Sequence, residues 1–239
     1  MNVPAQIDIA GGKIIYHPDF TQHPIEQVFD AQYWREQDAI VGSAQGRGTT
    51  WFVDAGVEQA ALRHYLRGGL FGKIVRDHYW FVSWPKTRSF AEFDLLLTLR
   101  SHGVNVPKPL AARAVKSGFV YQADILTERI ADAEDLVSIL QKRPISAELY
   151  QKIGREIAKM HQAGVDHTDL NIHNILIDKD EKVWIIDFDK CVKRNDSGWQ
   201  EKNLERLKRS FIKEKTKQTL YLKGKDIDNF FHEYDQLKL

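Results

Sequence analysis

The stretch His167-Thr-Asp169-Leu-Asn-Ile-His-Asn174-Ile-Leu-Ile-Asp178, followed by Trp184-Ile-Ile-Asp187-Phe-Asp189, decides the fold. An Asp and an Asn stand five positions apart. After them come an apolar run (174–177), a polar turn (178–182), a second apolar run (183–186) and another Asp. Two short apolar runs around a polar turn read as a small hairpin. The loop before it lets Asp169 and Asn174 face one cleft, and the hairpin returns the chain so that Asp187 approaches from the far strand.

Working outward, the first third reads as β-rich. Segments 7–10 and 13–16 flank Gly11-Gly12 as a tight hairpin, and 49–54, 60–66 and 78–83 read as further extended runs. The period then changes. In 89–101, Phe90, Phe93, Leu96 and Leu97 mark a helical stripe that Gly103 stops. Pro107 and Pro109 hold 104–109 out of a helix. Segments 110–115 and 119–126 form another hairpin around Lys-Ser-Gly. Helices are expected at 135–141, at 146–162 with Ser146 as cap and Gly164 as stop, and at about 200–215. The expected fold class is therefore α+β and bilobal: a small β-rich N-lobe (about 1–126), a hinge (about 127–131) and a mainly helical C-lobe (about 132–239) in a single domain.

The spacing of the opening segment suits phosphoryl transfer. That chemistry needs a carboxylate near the attacking hydroxyl and oxygen ligands for a magnesium ion on the ATP phosphates. Magnesium takes hard oxygen donors and keeps several waters, so an Asp and an Asn carbonyl suffice. The segment resembles the protein-kinase catalytic loop H-R-D-x-x-x-x-N and its downstream D-F-G. His167-Thr168-Asp169 stands in place of His-Arg-Asp, Asn174 in place of the loop Asn, and Asp187-Phe188-Asp189 in place of Asp-Phe-Gly. The resemblance implies Asp169 as the base and Asn174 and Asp187 as magnesium ligands. Thr168 removes the Arg that receives activation-loop phosphate, Asp189 replaces the Gly, and no A-P-E follows. These departures point to a small-molecule kinase.

Upstream, Gly42, Gly46 and Gly48, with Arg47, are the candidate phosphate-covering loop. Ala60-Ala61-Leu62-Arg63 aligns with V-A-I-K, placing Arg63 as the phosphate cation, with Lys73 and Lys86 as alternatives. Glu92 is the expected carboxylate partner one turn into the helix. Thr127-Glu128-Arg129-Ile130 is the expected hinge, with the backbone of Glu128 and Ile130 on adenine.

Leu62-Arg-His-Tyr65, Arg67-Gly-Gly69, Leu126-Thr-Glu-Arg-Ile130, the His167–Asn174 run and Asn203-Leu-Glu-Arg-Leu-Lys-Arg-Ser210 together resemble the 3-deoxy-D-manno-octulosonic acid (Kdo) kinases of Gram-negative bacteria. The resemblance covers nearly the whole chain. It implies ATP-dependent phosphorylation of the 4-hydroxyl of Kdo in Kdo-lipid A, at the cytoplasmic face of the inner membrane. Alternatives are a heptose or other sugar kinase of the same superfamily, and a nucleotide-binding pseudokinase scaffold.

Composition agrees with a soluble globular protein: 239 residues, 43% hydrophobic and 28% charged. A net charge of +1 gives no argument for nucleic acid. The single cysteine, Cys191, excludes an internal disulfide. Neither a signal peptide nor a transmembrane helix is expected. Nine Lys and Arg residues between 202 and 225, against Glu205 and Glu214, suit an anionic membrane surface or an anionic substrate. Trp199 beside them is expected in the core, and His173 in a structural hydrogen bond.

Overall fold

The computed structural model describes residues 3–20, 23–46, 48–56, 58–68 and 76–237. The chain divides into two compact units, Met1–Asp94 with Lys108–Arg129, and Leu95–Pro107 with Ile130–Leu239. The architecture is α+β, with the large sheet in the first unit and most of the helix in the second.

In the first unit, β1 (Ala5–Ile9) and β2 (Gly12–Tyr16) form the expected hairpin. The strands β3 (Ile40–Gln45), β4 (Thr49–Asp54), β5 (Gln59–His64), β7 (Pro109–Ser117) and β8 (Val120–Glu128) join them in the antiparallel order β1-β2-β7-β8-β5-β4-β3. The short β6 (Tyr79–Trp80) pairs with β8 outside this path. The extended run expected at 78–83 is thus only two residues of strand, because Pro85 opens a 3-10 turn at Trp84–Lys86 just beyond it.

One face of the sheet is covered by the segment before β3. That segment holds α1 (Ala31–Glu36), capped by Asp30, whose carboxylate accepts from the Gln32 N–H at 2.8 Å. Its Val28, Phe29 and Trp34 pack on Ile14, Val53, Ala60, Leu62 and Leu126. Trp34 is fully buried and donates its indole N–H to the Val28 carbonyl at 2.8 Å. Strand alternation then puts Arg63 on the other face, opposite Leu62. The first turns of α2 (Arg88–Ser101) lie on that face. The Ser89 hydroxyl donates to the Arg113 carbonyl on β7 at 2.9 Å, which fixes where Glu92 stands.

The second unit is built on α4 (Ala147–Gln162), capped as expected by Ser146, whose hydroxyl accepts from the Leu149 N–H at 3.1 Å. Its apolar face, Leu149, Ile153, Ile157 and Met160, is wholly buried. Around it stand α3 (Leu136–Lys142), α5 (Trp199–Lys217) and α6 (Gly224–Leu237). The predicted hairpin is β11 (Ile175–Ile177) and β12 (Val183–Ile185), extended by β9 (Glu134–Asp135). A second small pair is β10 (Val165–Asp166) with β13 (Val192–Lys193). Trp199 is buried, as expected.

Helix α6 has no counterpart among the expected elements. It packs closely on α4 at Gly154, where a Cβ would stand 2.9 Å from the Phe230 carbonyl oxygen and 3.4 Å from the Tyr234 nitrogen. Ala is the better helix former by about 1 kcal/mol, but overpacking against backbone costs about 1–3 kcal/mol. Gly154→Ala is therefore expected to lower Tm by roughly 2–4 °C per kcal/mol lost. A melting curve at or above that of the unmodified chain would show that α6 yields freely.

Candidate active site

The loop between β10 and β11 is held at Asp169 by the backbone. The Asp169 carbonyl accepts from two side-chain amides, Asn171 Nδ2 at 2.8 Å and Asn174 Nδ2 at 3.0 Å. The Asp169 side chain is left exposed. Because the Asn174 NH2 is committed to that carbonyl, its oxygen is the atom left for a cation. Asn171 also caps the 3-10 turn Ile172–Asn174, accepting from the His173 N–H at 2.9 Å. Asn171 was not singled out in the sequence. An Asn two residues after the Asp and three before the second Asn was the available signal.

The hairpin brings Asp187 back as expected: Ile186 N–H donates to the Asn174 carbonyl at 3.0 Å. His167, fully buried, bridges the two sides. One ring nitrogen, Nε2, lies 3.0 Å from the Ile186 carbonyl, which can only accept, so Nε2 carries the proton. Burial pushes the His167 pKa down and keeps the ring neutral. The ring packs on Phe188, centroids 4.8 Å apart.

Asp187 sits at φ +64°, in the left-handed region where non-glycine residues are uncommon and Asp is among the more tolerant. The turn that follows is closed by Cys191 N–H to the Phe188 carbonyl at 3.0 Å, and Lys190, at φ +67°, takes its left-handed position. Asp189 is not among the positive-φ residues. The substitution of Asp for Gly there meets no left-handed penalty.

Helix α5 braces this loop along one stripe. Asn203, almost fully buried, accepts from the His167 N–H at 3.0 Å and donates to the Asp166 carboxylate at 2.8 Å. Arg194 donates to the other Asp166 oxygen at 2.7 Å. Arg206 reaches the His167 carbonyl at 3.4 Å, and the Ser210 hydroxyl accepts from the Ile172 N–H at 3.2 Å. Positions 203, 206 and 210 share one face of a helix. The two ring nitrogens of His173 face carboxylates. It stands 3.7 Å from both the Asp135 and the Glu214 carboxylates, half exposed. Glu214 is buried and bonded to Lys217, so the acidic residues exposed on α5 are Glu201 and Glu205.

In the first unit, Arg63 and Glu92 meet. Arg63 Nη2 lies 2.6 Å from each Glu92 oxygen, and the Tyr65 hydroxyl donates to Glu92 Oε2 at 2.6 Å. Glu92 is 5% exposed. Removing one member of such a pair strands a buried charge and costs about 3–5 kcal/mol. Arg63→Met is therefore expected to lower both Tm and ATP affinity, while Arg63→Lys keeps the charge and loses less of each. If Arg63→Met left nucleotide affinity untouched, the pair would be structural only.

Gly46 and Gly48 form the β3–β4 turn, closed by Gly46 N–H to the Gly48 carbonyl at 2.9 Å. A Cβ on Gly48 would stand 2.4 Å from Leu66 Cδ1, so the turn tip packs tightly on β5's continuation. Gly42 departs from expectation: it lies inside β3, beside a register shift, because the strand continues to Gln45 before turning. Arg47, Gly69 and Lys73 lie outside the described residues. Lys86 is exposed at the end of its 3-10 turn. Glu128 is occupied at both ends, its N–H donating to the Lys108 carbonyl at 2.8 Å and its carboxylate accepting from the Lys108 N–H at 2.9 Å. Ile130 begins the second unit.

Among the described residues no group of three or more His, Cys, Asp and Glu side chains is arranged to hold a metal. No helix of the described residues is long and apolar enough to cross a membrane.

A family model described as lipopolysaccharide kinase (Kdo/WaaP) family matches residues 31–234. A 3-deoxy-D-manno-octulosonic acid kinase of Vibrio vulnificus is 60% identical over 223 residues, 93% of this chain and 94% of its own. Its counterpart in Photobacterium profundum is 51% identical over 209 residues, 87% and 89% of the two chains. That of Haemophilus influenzae is 49% identical over 209 residues, 84% and 86%.

Proposed function

The chain belongs to the lipopolysaccharide kinase (Kdo/WaaP) family, and from that premise we propose that it transfers the γ-phosphate of ATP to the 4-hydroxyl of Kdo in Kdo-lipid A. ATP as phosphate donor follows from membership of a kinase family. The observation that carries the chemistry is the loop in which Asp169 is exposed while its backbone is pinned by Asn171 and Asn174. The relatives named as Kdo kinases over nearly the whole chain support the acceptor.

In this reading the two units work as the lobes of one kinase domain. Asp169 orients the sugar hydroxyl and takes its proton as the oxygen attacks the γ-phosphorus. The Asn174 oxygen and the Asp187 carboxylate supply two protein donors for magnesium, which when bound neutralises charge on the phosphates. Arg63, held by Glu92, sets its positive charge toward the α- and β-phosphates. The Gly46–Gly48 turn offers backbone N–H groups to phosphate oxygens. Asn203 positions the loop through His167 and Asp166. The exposed cations of α5, brought beside the loop by the Asn203, Arg206 and Ser210 contacts, attract an anionic sugar and an anionic membrane face.

The test supplies Mg·ATP with Kdo-lipid A or with heptosylated lipid A and follows phosphate transfer. Transfer to Kdo-lipid A, with loss when the Kdo 4-hydroxyl is absent, is expected. Transfer only to the heptosylated acceptor would assign a heptose kinase. ATP binding without turnover on either acceptor would assign a scaffold.

A further inference from the structure

Helix α5 runs alongside the loop that carries Asp169, and its contacts fall in order along both chains. His167 is held at Asn203 and Arg206, Ile172 is held at Ser210, and His173 faces Glu214. Asp169 lies between His167 and Ile172, so the loop carries it past the stretch of α5 from Arg206 to Ser210. At 1.5 Å per residue that stretch is about 6 Å of helix.

Arg206 differs from the other cations of this helix. Lys202, Lys208, Arg209, Lys213, Lys215 and Lys217 are all exposed, whereas Arg206 is half-buried. Arg209 stands 3.9 Å from Glu205, and Lys217 donates to Glu214 at 2.8 Å. Among the described residues no carboxylate pairs with Arg206. Its Nη1 donates at 3.4 Å to the His167 carbonyl, which also accepts from the Leu170 N–H at 3.2 Å. That long bond to a shared, uncharged acceptor leaves the Nε–Nη2 edge of the guanidinium, the edge that takes a carboxylate in two parallel bonds. A cation drawn partly out of water without an anion is costly, and a bound anion removes that cost.

We propose that Arg206 binds the carboxylate of the acceptor sugar and so selects an acid sugar over a neutral one. The inference rests on the reading of Kdo as acceptor. Kdo is a sugar acid, and in its ring a single methylene separates the carbon bearing the carboxylate from the carbon bearing the 4-hydroxyl. An anchor for the carboxylate must therefore stand close to the base. Arg206 is fixed to a carbonyl two residues before Asp169, a length of chain of at most about 7 Å. A heptose has no carboxylate, and it would leave the guanidinium unpaired. An unpaired polar group in the site is what rejects an analogue strongly. Arg206 takes no part in the transfer step itself.

The experiment follows steady-state transfer from Mg·ATP to Kdo-lipid A, to its Kdo carboxamide, and to Kdo-lipid A stripped of the lipid A phosphates, all in detergent micelles. The unmodified chain is expected to lose about ten-fold or more in kcat/KM on the carboxamide, through KM. Arg206→Gln, which keeps a donor for the loop, is expected to lose as much on Kdo-lipid A, with Tm and the KM for ATP unchanged. It is expected to lose nothing further on the carboxamide, because the two changes remove one interaction. Arg206→Lys should retain part of the affinity. Removal of the phosphates should cost both enzymes the same factor. If the two losses multiply, the proposal is overturned and Arg206 only braces the loop. A carboxamide as good an acceptor as the acid would overturn it too, a result that needs no variant to fold. So would coupling of Arg206 to the phosphates in place of the carboxylate. No transfer to Kdo-lipid A by the unmodified chain would instead overturn the kinase reading on which the inference rests.

Discussion

Asp169→Ala is expected to lower kcat for phosphate transfer by about 10²–10⁴-fold, the range a positioned general base supplies, with ATP affinity unchanged. The structure gives a reason to expect a clean result. The loop is held through the Asp169 carbonyl, which accepts from Asn171 and Asn174, and an alanine keeps that carbonyl. The carboxylate is exposed and is not needed to hold the loop. Stability should therefore change by no more than about 0.5 kcal/mol. Asp169→Asn should lose a similar factor, since a carboxamide does not take a proton from a hydroxyl near neutral pH. Single-turnover transfer together with calorimetric ATP binding separates the two effects. A kcat within a few-fold of the unmodified enzyme, with Tm unchanged, would remove Asp169 from the role of base.

Asp187→Ala is expected to act on the nucleotide instead. It should weaken Mg·ATP binding by about ten-fold or more, where each factor of ten corresponds to about 1.4 kcal/mol. Affinity for ATP without magnesium should move little. Two physical effects mix in this variant, because Asp187 sits at φ +64° and alanine tolerates that conformation poorly. Asp187→Asn separates them, since asparagine accepts left-handed backbone but carries no charge. If the lost charge matters, Asn behaves like Ala in the magnesium titration. If the backbone matters, Asn behaves like Asp. An unchanged magnesium requirement in both variants would move the metal away from Asp187.

Much of the fold was legible because its signals are local. Helices α2 and α4 were read from apolar residues three and four apart, and the Ser146 cap and Gly103 and Gly164 stops lie within a few residues of what they end. The β11–β12 hairpin was read from two apolar runs and a turn. Other elements were missed for physical reasons. Helix α1 is six residues long, too short for a period to show, and is held by Trp34 packing under the sheet. Strand β3 carries Gly42 and small polar residues, which resemble a loop continuous with Gly46 and Gly48. Helix α6 carries its sequence mark in the buried pair Phe230 and Tyr234, four apart.

The same divide runs through the candidate site. Five- and thirteen-residue separations placed Asp169, Asn174 and Asp187 around one turn of chain, and the sequence by itself determined that grouping, because a short loop and a tight hairpin leave few ways to arrange it. It also determined the helix that would carry Glu92. The meeting of Arg63 and Glu92 was an expectation of the kinase resemblance, and only the tertiary structure added Tyr65 as a third partner. It alone decided that Asn203, more than thirty residues on, holds His167 and Asp166. Chain periodicity sets which side chains share a face, but packing sets which faces meet, and no local pattern encodes a partner on another element. The fate of Asp189 is the smallest example. Asp189 stands where the kinase motif has Gly, which left the conformation of the turn open, and the left-handed residue is Lys190, because the turn closes from Phe188 to Cys191.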